Sequence, residues 1–229
     1  MQHERHAGPP GTGHHPAVEQ YLETILELEE SGIVPMRARL VDRLGVSAPA
    51  VSETVKRLER EGYLTLDDDR VLHLTETGRD YATSVLRRHR LAELLLVDVL
   101  KVPWSQVHEE ACRLEHAISD NLEQHLVKLL GDPGMCPHGN PIPGSTHKVD
   151  GGTSTPLSQS APGPVVIRRI SEKIEIDEGA LVFLAEAKLI PGSNAVVKDS
   201  GPDGVRVESD SGEQLVPKNV AQLMWVVPA

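Results

Sequence analysis

The sequence predicts a mainly α-helical chain that closes with a small β-barrel. Two observations carry that reading. Between Ala17 and Leu130 the apolar residues recur mostly at three- and four-residue intervals, the period of amphipathic helices. Between Val165 and Ala229 they alternate in short runs separated by glycine-rich turns, the pattern of half-buried strands. A stretch dense in Pro, Gly, Ser and Thr stands between the two.

At 229 residues the chain has room for two or three small domains. Its net charge is −11, from 23 basic and 34 acidic residues, so any contact with a polyanion must come from a local basic patch. Two cysteines make no disulfide framework and suit a reducing cytoplasm, where the protein is expected to reside. No apolar run reaches the ~18 residues of a membrane span, and the start lacks the basic flank and apolar core of a signal peptide. With one Phe, two Trp and three Tyr, the chain offers no aromatic platform for single-stranded bases.

Taken in order, residues 1–16 hold Pro9, Pro10, several glycines and four histidines without periodicity, and are expected to be a disordered tail. Val18, Tyr21, Leu22, Ile25, Leu26 and Leu28 form a helical stripe from Ala17 to Gly32, with Gln20 and Glu23 three apart on the other side. Met36–Leu44 is a short amphipathic helix, Gly45-Val46-Ser47 a tight turn, and Ala48–Glu61 a second helix with Ser47 as N-cap and Pro49 in its first turn. Two alternating runs, Gly62–Leu66 and Val71–Leu74, flank a polar turn. Helix, glycine turn, helix and hairpin together read as a winged helix-turn-helix over residues 17–80. Its span 33–60 carries Arg37, Arg39, Arg43, Lys56, Arg57 and Arg60 against Asp42, Glu53 and Glu59, a local +3 in a chain of −11. That is the patch phosphate binding requires.

Thr75–Lys101 reads as a long helix whose leucine-rich end exceeds what one helix can bury, so residues 81–135 are expected to form a helical dimerisation domain. His89 and Glu93 lie one turn apart there. In the next helix His108, Cys112, Glu115 and His116 fall within an arc of about 100°. An imidazole, a thiol, a carboxylate and a second imidazole on one face suit a first-row divalent metal. Taken singly, such residues are more often a solvated polar face; together they favour metal. Cys136-Pro137-His138 offers another thiol and imidazole, but it lies in the flexible stretch 136–164 and is read as linker. Strands are expected at 165–170, 181–187, 194–198, 205–208 and 225–227, making residues 165–229 an independent SH3-like barrel.

These residues resemble a known family, the iron- and manganese-dependent repressors typified by the diphtheria toxin repressor. The resemblance is carried by Tyr21-Leu22-x-Thr24-Ile25, Arg37-Ala38-Arg39-Leu40, Val51-Ser52-x-Thr54-Val55, Arg88-His89-Arg90-Leu91-Ala92-Glu93, the stretch from His108 to His116, and Gly139-Asn140-Pro141-Ile142-Pro143-Gly144. It implies a homodimer that binds a pseudo-palindromic operator in double-stranded DNA once Fe(II) or Mn(II) is bound, with Zn(II) or Co(II) as substitutes in vitro. It also implies two metal sites per subunit. The regulatory site takes Cys112, Glu115 and His116 with Gln20 and Glu23 of the first helix; the ancillary site takes His89, Glu93 and His108 with Glu172 and Glu175. Against DNA, Arg37, Arg39, Arg57 and Arg60 are expected to contact phosphates, and Ser47, Pro49, Ala50, Ser52 and Glu53 to lie nearest the bases. The chain departs from the family in two ways. Gln20 stands where iron-type members have Met and manganese-type members Asp, and Glu53 and Ala50 replace Gln and Thr in the recognition helix. The mixed donor set leaves the metal open between iron and manganese. Two rivals are a metallohydrolase using Glu115 or Glu109 as base, which leaves the wing unexplained, and a winged-helix regulator of organic ligands.

Overall fold

The computed structural model describes residues 16–147, 154–175 and 177–229. The expected tail, apart from Pro16, and residues 148–153 of the expected linker lie outside them. The chain forms two compact units, one ending at Leu86 and the other starting at Arg87. No helix among the described residues is long and apolar enough to cross a membrane.

The first unit holds α1 (Pro16–Glu30), α2 (Arg37–Leu44), α3 (Ala48–Arg60), β1 (Leu64–Leu66), β2 (Leu72–Leu74) and the start of α4 (Glu76–Leu94). Gly45 stops α2 in the left-handed region at φ +65°, its N–H donating to the Val41 carbonyl. Two residues later Ser47 caps α3, accepting from the Ala50 N–H at 3.4 Å. The tight turn therefore follows from residue types alone. Leu22 and Ile25 of α1, Leu40 of α2 and Val51, Val55 and Leu58 of α3 close one apolar core. The wing pairs antiparallel, Leu64 opposite Leu74 and Leu66 opposite Leu72. Asp67 fastens its turn: Oδ1 accepts from the Val71 N–H at 2.8 Å and Oδ2 meets His73 Nε2 at 2.8 Å.

The second unit continues α4 into a five-residue π turn, Leu95–Val99, closed by the Leu100 N–H on the Leu95 carbonyl at 3.0 Å. Next come α5 (Val107–Leu114), a 3-10 turn (Glu115–Ala117) and α6 (Asp120–Leu130), capped by Ser119 and ended by Gly131 at φ +77°. The rest is a six-stranded antiparallel sheet with three short helices. In chain order these are β3 (Thr155–Pro156), β4 (Gly163–Ile170), α7 (Glu172–Glu175), α8 (Glu178–Glu186), β5 (Asn194–Ser200), β6 (Gly204–Ser209), β7 (Gly212–Pro217), α9 (Lys218–Ala221) and β8 (Met224–Pro228). The strand order is β3-β8-β4-β5-β6-β7.

Two expectations change. Of the strand expected at 181–187, residues 181–186 are helical and Ala187 is the C-cap. Asp177 accepts from the Ala180 N–H at 3.0 Å and starts α8, whose buried Ala180, Leu181 and Leu184 follow helical spacing. Residues 136–147 of the expected linker are not loose: Cys136 and Ile142 pack on Leu91, and His138 and Asn140 are fully buried. The β-rich region shares a compact unit with the helices from Arg87 onward and closes a hydrophobic core of its own around Ile167, Leu184 and Val207.

Gly78, in the first turn of α4, lies against the Tyr63 carbonyl, where an added Cβ would stand 1.8 Å from the oxygen. Thr75 braces the same contact through Gly62. Gly78→Ala should therefore cost about 1–3 kcal/mol through overpacking against backbone. A thermal melt of the variant that matches the parent's would remove this account of the junction.

Candidate metal centre and nucleic-acid interface

Two helices each carry donors at i and i+4, His89 and Glu93 on α4 and His108 and Cys112 on α5, so each pair stacks on one face. Glu115 opens the 3-10 turn that prolongs α5. The rings of His89 and His108 meet edge to face, with centroids 5.0 Å apart. With Cys112, their donor atoms lie within 4.8 Å of one another, and His108 Nε2 stands 3.6 Å from Cys112 Sγ. His89 Nδ1 is 2.5 Å from Glu115 Oε2, and its Nε2 is 3.3 Å from Glu93 Oε1. Glu93 Oε1 is also 2.9 Å from His138 Nδ1 and 3.9 Å from His108 Nδ1. Glu93, Cys136 and His138 make a second buried group with donor atoms within 4.8 Å of one another.

Burial and charge oppose each other here. Burial pushes the His89 imidazolium toward losing its proton, yet the Glu93 carboxylate, with Cys112 and Glu115, holds it well above the ordinary histidine range. Burial likewise raises Glu93, and His138 and His89 override it, leaving the carboxyl well below its usual range. For Cys112, burial raises the thiol but His108 and His89 bring it down to about 7. A near-neutral thiol is ready to serve as thiolate.

The donor set suits a divalent ion. Imidazole, thiolate and carboxylate are the ligands of mid-to-late first-row metals. Around a four-coordinate ion with bonds of about 2.0–2.3 Å, such donors stand ~3.3–3.8 Å apart, inside the 4.8 Å within which the donors of each group lie.

The residues expected from sequence are distributed as follows. Glu115, assigned to the regulatory site, pairs with His89, assigned to the ancillary one; Cys112 likewise meets His108. His116 Nε2 is 3.3 Å from Glu115 Oε1. Gln20, exposed, and Glu23, buried, lie on α1 in the first unit. Glu172 is buried with its carboxylate 2.6 Å from the Arg90 guanidinium. The side chain of Glu175 lies outside the described residues. Cys136 and His138, read from the sequence as linker, are brought to Glu93. Their Cys-x-His spacing was the available signal, discounted because the stretch read as flexible.

In the first unit, Ser47, Pro49, Ala50 and Glu53 are exposed where α3 begins, and Ser52 is half-buried. Arg60 is exposed, and Arg37, Arg39 and Arg57 are partly so. Arg43 is turned inward to Glu27 at 3.0 Å, so one of the six basic residues of the span is neutralised internally.

Two family models match the chain. "Iron dependent repressor, N-terminal DNA binding domain" covers residues 15–72, and "Iron dependent repressor, metal binding and dimerisation domain" covers 75–144. The chain belongs to the iron-dependent repressor family. The repressor is 43% identical over 219 residues to the iron-dependent repressor IdeR of Mycobacterium tuberculosis, covering 91% of this chain and 95% of that protein. It is 42% identical over 205 residues to the diphtheria toxin repressor of Corynebacterium diphtheriae, covering 86% and 90%. A solved structure of a manganese-dependent transcriptional repressor in complex with manganese matches with a TM-score of 0.80 at 33% identity, over 93% of this chain and 100% of that one. The repressor is thus a metal-dependent transcriptional regulator with a DNA-binding and a dimerisation domain. Both donor groups fall within the matched metal-binding domain.

The Arg90–Glu172 pair yields a test that separates structure from ligation. Removing one member of a buried pair strands the other charge, at about 3–5 kcal/mol. Glu172→Ala should therefore destabilise the second unit by that order in chelator-treated protein. A loss of stability seen only when metal is present would reassign Glu172 from ion pair to ligand.

Proposed function

We propose that this repressor is activated by Fe(II) or Mn(II) and then binds, as a homodimer, a pseudo-palindromic operator controlling genes of metal homeostasis. The observation that carries the reading is the imidazole, thiol and carboxylate cluster of buried His89, Glu93 and Glu115 with half-buried His108 and Cys112, in a chain whose other unit is a winged helix-turn-helix. Val99, Leu100, Leu122 and Leu129, exposed within the matched dimerisation domain, supply the apolar surface that a second copy would cover.

The regulatory ion would be held by Cys112, Glu115 and His116 together with Gln20 and Glu23. The ancillary ion would be held by His89, Glu93 and His108, with Glu172 and Glu175 as oxygen donors; Cys136 and His138 add a thiol and an imidazole to Glu93. Bound there, a divalent ion supplies charge and directional bonds that side chains alone lack. Gln20 and Glu23 belong to the DNA-binding domain, so their part is to make operator affinity depend on the ion. A ligand shifts a conformational equilibrium only by its differential affinity for the two states. Moving a population from mostly inactive to mostly active takes on the order of 5 kcal/mol.

Against DNA, Arg37, Arg39, Arg57 and Arg60 would meet phosphates, while Ser47, Pro49, Ala50, Ser52 and Glu53 face the bases in the major groove. Glu53 accepts from cytosine N4, where Gln would also donate, so the preferred site is expected to differ from that of Gln-bearing relatives.

The decisive measurement selects operator sequences from random DNA with the full-length protein under anaerobic Fe(II) or Mn(II), then follows their binding by anisotropy. Affinity should collapse on adding chelator; equal affinity with and without it ends the activation reading. Gln20→Ala combined with Glu23→Ala should leave a folded dimer that still takes up metal but no longer couples it to DNA. Normal operator binding by that double variant would remove helix α1 from the switch.

Separately, Arg57→Ala should weaken binding to all sequences and reduce the slope of log K against log salt by about 1, whereas Glu53→Gln should change the selected sequence. An unchanged salt slope would take Arg57 off the phosphate backbone.

A further inference from the structure

The stretch 134–142 is a small hairpin laid against the end of β4. Met135 and Pro141 form its bridge, the Cys136 N–H donates to the Asn140 carbonyl at 2.9 Å, and the Gly139 N–H donates to the Cys136 carbonyl at 2.9 Å. Its tip is gripped at Ile170 from both sides: the Ile170 N–H donates to the His138 carbonyl at 2.8 Å, and Asn140 Nδ2 donates to the Ile170 carbonyl at 3.0 Å. Between these bonds Gly139 sits at φ +81°, so close to β4 that an added Cβ would stand 2.2 Å from the Arg168 carbonyl oxygen. Trp104 closes the outer side, its ring 4.7 Å from that of His138 and its Nε1–H donating to the Pro137 carbonyl at 3.0 Å.

Each of these bonds is made by backbone or by a side-chain N–H, which cannot bind the metal, yet together they fix the orientation of Cys136 and His138 toward Glu93. Groups that orient ligands in this way set affinity without touching the ion. We propose that Asn140 is a positioning residue of the Glu93–Cys136–His138 group, and that strand β4 of the C-terminal sheet acts through it as the template on which this donor group is assembled. The inference rests on the reading that this group holds a divalent ion.

The chain's two cysteines allow the two donor groups to be read separately. In full-length Cys112→Ser protein titrated anaerobically with Co(II), thiolate-to-cobalt charge transfer reports Cys136 alone; in Cys136→Ser protein it reports Cys112 alone. Adding Asn140→Ala should weaken the Cys136 signal's cobalt affinity by about 10-fold or more and leave the Cys112 signal within about two-fold. Asn140→Asp keeps the side-chain volume but aims an acceptor at the Ile170 carbonyl, so it should fall with the alanine variant and not with the parent. A Cys136 affinity unchanged by both substitutions overturns the positioning role. So does an equal loss at both cysteines, which would mark general loosening of the unit. Absence of any thiolate signal in the Cys112→Ser protein would instead overturn the underlying site.

Discussion

Glu93 carries a negative charge in a part of the molecule that water does not reach. Even after relaxation, burying such an ion costs several kcal/mol unless partners surround it. Here they come from three stretches of chain: His89 one turn back on α4, His108 on α5, and His138 on the hairpin beneath β4. The carboxylate thereby sets where α5 and the hairpin must sit, since withdrawing either strands part of its charge. The same electrostatics raise the pKa of His89 and lower that of Glu93. The donors are gathered by their mutual charges, and a divalent ion entering them competes with protons and not with disorder.

Much of this was legible in the residues. Gly45 and Ser47 announce the helix-turn-helix because each performs one backbone task. The pairs at i and i+4 announced the metal face because α-helical spacing is fixed. Two other features were harder to read. Leu181–Ala187 is a short apolar run in which the strand and helix periods cannot be told apart, and only the Asp177 cap three residues before Ala180 distinguishes them. Pro, Gly and Ser around Cys136 imply a loop correctly, but composition does not say whether a loop is buried. That was decided by Asn140, Gly139 and Ile170, a contact between residues 30 apart in sequence. The cross-pairing of Glu115 with His89 was equally hidden, since it depends on how two helices meet.

The electrostatics of the chain are polarised. Residues 33–60 sum to +3 while the whole carries −11, so the remainder carries −14, from −11 minus +3. A polyanion is attracted by this segment and repelled by the net charge of the remainder, which favours approach by the helix-turn-helix. The inward turn of Arg43 to Glu27 trims that attraction further and leaves more of the recognition to the exposed start of α3.

The π turn at Leu95–Val99 is, in terms of chain length, one residue more than an α-helix needs over the same rise. It lies just after Glu93 and ends the helix there, so it sets the point and direction from which the chain leaves α4 toward α5. Deleting a single residue there would restore regular helix but change the span that the segment from Leu100 to Gln106 must bridge before His108 can meet His89, without altering either donor. The donor cluster is in this sense sensitive to the length of a segment that contains none of its ligands, and a reading frame of residues, not only their identity, is part of what the metal centre encodes.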